Sequence, residues 1–138
     1  MNEKIENFIN IFLNNPNKEN EIKLIKALKI TQFLAPIIIN QPLSKLDGSA
    51  FFEEEGSNIK FITLVDDEKK LSFFPAFSSL DEMMKWRKDN EQETIQMQLK
   101  DYIALAENSQ NSYAGVVINA FSCNLTLSFN VIKRFYDQ

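Results

Sequence analysis

Histidine is absent from the 138-residue chain. That removes the usual general base near neutrality, the Ser–His and Cys–His nucleophile pairs, and most zinc and haem sites. A single cysteine, Cys123, permits no internal disulfide and no paired-cysteine metal site. The three glycines, Gly48, Gly56 and Gly115, stand too far apart for a P-loop or a dinucleotide fingerprint. No apolar run approaches the ~20 residues that a membrane-spanning helix needs. The opening Met-Asn-Glu-Lys lacks the basic and apolar regions of a signal peptide. Basic residues number 15 against 19 acidic ones, for a net charge of -4, whereas phosphate-driven nucleic-acid binding needs a basic stripe. Lys23, Lys26 and Lys29 come nearest to one, but Glu19 and Glu21 flank them, and the expected reading is a solvated outer helix face. The absences together predict a cytoplasmic protein with a reduced cysteine and no cofactor or metal. They predict no nucleic-acid or membrane partner and identify no small-molecule ligand.

The length suits one domain, and the 44% hydrophobic fraction is enough for one ordinary core. Ile5, Phe8, Ile9 and Phe12 fall at i, i+3, i+4, i+7 and predict a helix over 2–14. Asn17 is placed to cap a second helix over 18–30, with Leu24, Ile25 and Leu28 inward. Residues 33–39 read as a strand with Pro36 near its start or on an edge. Residues 41–55 read as a loop that holds Phe51, Phe52 and an acidic run, Glu53–Glu55. A strand over 59–65, apolar on both faces, turns through 66–70 into a second hairpin arm at 71–74. Ser79 and Glu82 have capping-box spacing at the head of a helix over 79–88. A strand at 94–97, a helix at 99–106, strands at 114–121 and 124–127, and a last helix capped by Ser128 complete the chain. Helices and hairpins without a regular βα repeat predict an α+β fold, a mixed or mostly antiparallel sheet with helices packed on it.

Three words in the chain carry a resemblance. Phe74-Pro75-Ala76-Phe77-Ser78-Ser79, followed by Leu80 and Trp86, is similar to the L-P-A-F-T-S word of the SseB (enhanced serine sensitivity) N-terminal domain family. Gly115-Val116-Val117-Ile118-Asn119 resembles that family's G-L-V-I-N-P, with Ala120 where the family usually has Pro. Phe33-Leu34-Ala35-Pro36 resembles its first strand. The resemblance runs from about Lys18 onward and implies a helical extension at 1–15 on a single domain at 16–138. It brings no established catalytic residues, and some relatives near secretion systems suggest an accessory role by association.

Candidate binding residues follow from these words. Pro75, Phe77, Ser78 and Ser79 form a strand-to-helix corner whose amides could meet an anion or a peptide terminus. Asp81 and Glu82 in the same turn repel anions, so the corner reads first as structural. Trp86 beside Met83 and Met84 reads as core or as a partner surface. Asn119 ends an apolar strand and should bond a neighbouring loop or a ligand. Cys123 lacks the cations that activate a thiol, and the runs Glu53–Glu55 and Asp66–Glu68 lack calcium-loop spacing.

The expectation is a non-catalytic domain acting through a protein partner or self-association, in a regulatory or accessory role. Two rivals stand beside it. One is a secretion- or toxin-linked accessory protein docking through helix 2–14. The other is a small enzyme using Ser78, Asp81 and Glu82, which needs two carboxylates with pKa values pushed apart.

Overall fold

The computed structural model describes residues 4–39, 59–66, 68–86, 92–109 and 112–137. The expected loop at 41–55, with Phe51, Phe52 and Glu53–Glu55, lies outside the described residues, as do Arg87 and Asp67.

The chain runs α1 (Ile5–Asn14), α2 (Lys18–Ile30), β1 (Phe33–Ile39), β2 (Ile59–Phe61), β3 (Leu64–Asp66) and β4 (Leu71–Ala76). It continues through α3 (Leu80–Met84), β5 (Thr94–Met97), α4 (Leu99–Glu107), β6 (Gly115–Ile118), β7 (Leu125–Ser128) and α5 (Phe129–Phe135). Side-chain caps start several helices: Asn17 accepts from the Asn20 amide at 2.8 Å, and Ser128 accepts from the Val131 amide at 3.2 Å. At the head of α4 the Gln98 amide donates to Asp101 Oδ2 at 2.8 Å.

The strands form two sheets. β2-β1-β5 is antiparallel, and β3-β4-β6-β7 is mixed because β4 and β6 run parallel. Leu34 and Phe77 tie them together: the Leu34 amide donates to the Phe77 carbonyl at 2.7 Å, and the Phe77 amide donates back at 3.0 Å. Helices pack against this framework, so the fold is α+β, as the element pattern predicts.

One core holds the layers together. Phe74 stands in the middle of an aromatic group, with Tyr113 at 4.4 Å, Tyr102 at 5.7 Å, Phe61 at 6.3 Å and Phe129 at 6.4 Å between ring centroids. Ile5 and Ile9 of α1 belong to the same buried cluster as Phe33, Phe74 and Ile132. The helix expected as an extension at 1–15 therefore shares its core with the rest of the chain.

Several expectations need correction. The strand expected over 59–65 is two strands in different sheets: β2 pairs with β1, and β3 pairs with β4. Between them the Ile62 amide donates to the Pro36 carbonyl at 3.2 Å, which marks the crossing from one sheet to the other. Val65, on one of the two apolar faces read from the sequence, is 59% exposed. Pro36 stands mid-strand, where pairing of β1 passes from β5 to β2, a position that tolerates a missing amide hydrogen. The strand expected over 114–121 stops at Ile118 because Asn119 takes a left-handed conformation, φ 50°. Helix α3 ends at Met84, short of the expected 79–88. Among the described residues no helix is long and apolar enough to cross a membrane.

Candidate functional site

The words that carry the family resemblance meet at one corner of the fold. β4 and β6 lie side by side and in parallel, so Pro75 pairs with Val117 and Ala76 with Ile118. Both chains leave the sheet at the same end. This brings Ser78 and Asn119 together across 41 positions of sequence.

Asn119 is fully buried. Its Oδ1 accepts from the Ser78 amide at 2.9 Å, and its Nδ2 donates to Ser78 Oγ at 2.9 Å. Ser78 Oγ in turn donates to Glu6 Oε2 of α1. The backbone of Asn119 is also committed: its amide donates to the Ala76 carbonyl at 2.9 Å, and its carbonyl accepts from Ser122 and Asn124 at 3.0 and 2.8 Å. A left-handed Asn here closes the turn after β6 and aims its amide side chain at the neighbouring loop.

Glu82 anchors a second network. Ser79 caps α3 by accepting from the Glu82 amide at 3.3 Å. The Glu82 carboxylate does not return to Ser79 as the capping-box reading expects. It accepts from Ser122 Oγ at 2.6 Å and from Lys85 Nζ at 3.0 Å. Burial alone would raise its pKa, but these bonds and the nearby ammonium outweigh burial and hold it below the ordinary glutamate value. Glu82 is therefore an anion at neutral pH.

Of the six candidate residues, Ser78 and Ser79 line a groove of about 920 Å³ between α1, α2 and the start of α3, together with Glu6, Phe8, Lys26 and Glu82. Pro75 and Phe77 are buried and do not line it. Trp86 is half-buried and stacks on Phe77, 5.9 Å between centroids and 14° between planes. Asn119 lies beneath the corner and acts on it through Ser78. Asp81, the third member of the carboxylate–hydroxyl set, is exposed on the groove wall.

Glu6 is the residue that sequence reading missed. It lies 72 positions from Ser78, and no local spacing announces such a partner. Cys123 is half-buried, and its Sγ donates to the Ile118 carbonyl at 3.6 Å. Burial pushes its thiol pKa up, and the Glu82 and Glu6 carboxylates add to that. Among the described residues no group of Asp, Glu and Cys could hold a metal ion.

Two sheets joined through one backbone bridge, with a strand-to-helix corner locked by a buried Asn, define an α+β domain whose polar corner residues bond one another. The sequence pattern of the SseB protein N-terminal domain matches residues 6–133, and the chain belongs to that family. The match begins inside α1. No curated protein and no solved structure matches the chain significantly.

Proposed function

We propose that this SseB domain is a cytoplasmic, non-catalytic module that works by contact with a protein partner or with a second copy of itself, in a regulatory or accessory role. The observation that carries this reading is the engagement of the polar groups at the corner. Ser78 bonds Asn119 and Glu6, Glu82 bonds Ser122 and Lys85, and the Ser79 hydroxyl caps α3. A nucleophile needs a free lone pair beside a base, and a general acid needs a proton to give. Ionised Glu82 has no proton to give, and the upward-shifted thiol of Cys123 holds little thiolate for attack.

Surface composition supports binding. Ile30 is 75% exposed beside the groove at the corner, and Ile22, Leu80 and Phe121 are also well exposed. Ile30 lines the corner groove and Ile22 a second groove between α2 and α5, and exposed apolar side chains on concave surfaces are the usual substrate of protein recognition.

Cross-linking in the native cell with a tagged full-length chain tests the reading. The expected result is a defined protein, or a second copy of the chain, recovered in near-stoichiometric amount. Turnover of a small substrate by the purified chain, lost in folded Ser78→Ala or Glu82→Gln variants, would overturn it.

A further inference from the structure

We propose that the groove between α2 and α5 is the docking site for an acidic amphipathic helix of a partner protein, an inference that rests on the binding function above. The groove measures about 550 Å³. Its floor is apolar, with Ile22 and Ile25 from α2 and Val131 and Phe135 from α5. Ile22 is 44% exposed there.

The rim decides the occupant. Lys18, Lys26, Lys29 and Arg134 surround the groove, and among the described residues Glu21 is the one carboxylate lining it. That concentration of positive charge sits in a chain of net charge -4. Lys26 and Arg134 make no ion pair among the described residues. Lys29 Nζ stands 5.2 Å from the centroid of the Tyr136 ring, which holds its charge at the rim without neutralising it. The Lys18–Glu21 pair spans 3.7 Å between exposed side chains and is weak.

An apolar floor with three lysines on the α2 side and Arg134 on the α5 side is the complement of a helix with an apolar stripe flanked by Glu or Asp. The 13 residues of α2 run roughly 20 Å, room for several turns of a partner helix alongside. A nucleic acid fits less well, because the one aromatic ring in the groove, Phe135, is only 8% exposed and offers no face for a base. Of the three lysines read from sequence as a solvated face, Lys26 and Lys29 line this groove beside Arg134 of α5, while Lys23 pairs with Glu19 outside it.

The test uses the full chain and two labelled synthetic peptides that share one leucine stripe, one flanked by Glu and the other by Lys, read by fluorescence anisotropy. The Glu peptide should bind saturably, and binding should weaken as salt rises. Lys26→Glu with Arg134→Glu should cost at least about 10-fold in affinity. Lys60→Glu with Lys69→Glu, an equal change of net charge outside the groove, should leave affinity within about 2-fold. Equal binding of the Lys peptide, indifference to Lys26→Glu with Arg134→Glu, or displacement of the Glu peptide by single-stranded RNA would overturn the proposal. A cross-linked partner kept by that same double variant would also overturn the groove assignment and leave the binding function standing. Substrate turnover would remove the binding function itself.

Discussion

Asn119 and Ser78 exchange two hydrogen bonds of 2.9 Å, one to the serine amide and one to its hydroxyl. The pair joins the ends of two parallel strands and, through Glu6, the first helix. Asn119→Ala removes both bonds, leaves the Ser78 amide without its partner, and keeps a left-handed φ that alanine disfavours. A loss of about 2–4 kcal/mol in urea unfolding is expected. Asn119→Gly should recover part of it, about 1 kcal/mol, because glycine takes that φ freely.

Gly115 starts β6 with no room for a side chain. A Cβ there would lie 2.1 Å from the Leu127 carbonyl oxygen and 2.9 Å from the Ser128 Cα, all backbone of β7. Gly115→Ala must push the two strands apart. The expected outcome is a loss of more than about 2 kcal/mol in thermal or urea melts, or failure to fold.

Ile9 is fully buried in the shared core. Ile9→Ala should cost about 2–5 kcal/mol in urea unfolding. Removal of residues 1–15 should strip Ile5 and Ile9 from that core and abolish the cooperative transition. A truncated chain that unfolds as cooperatively as the full one would make α1 an independent attachment.

Much of this architecture is legible locally. The Asn17 and Ser128 caps, the hairpin turn before Leu71 and the apolar stripes of α1 and α4 all arise from neighbours within a few residues, where spacing alone determines contact. The crossing at Ile62 is not legible, because residues 59–65 keep strand composition while their partners change from β1 to β4. The end of β6 hides for a related reason: Asn119 takes a conformation that glycine usually signals. The Glu6–Ser78 contact and the α2–α5 groove depend on tertiary placement of distant segments. Lys26 and Arg134 carry no mutual signal until α5 lies beside α2.

Cys123 gives a pH-dependent readout. Its thiol pKa is raised above that of an ordinary cysteine, chiefly by burial, so little thiolate exists at neutral pH. Alkylation by iodoacetamide should be slower than for a free cysteine at pH 7 and should climb with pH, with its inflection above that of a free cysteine. Rapid modification at pH 7 would show an activated thiol instead.

On the proposed function, the hydroxyl and amide groups at the strand-to-helix corner hold the fold and do not meet a substrate or partner. Ser78→Ala measured for both stability and partner capture tests this most directly. A loss of about 1–3 kcal/mol in urea unfolding is expected, with the cross-linked partner retained while the variant is folded. Unchanged stability with the partner lost, or a substrate reaction lost, would contradict it.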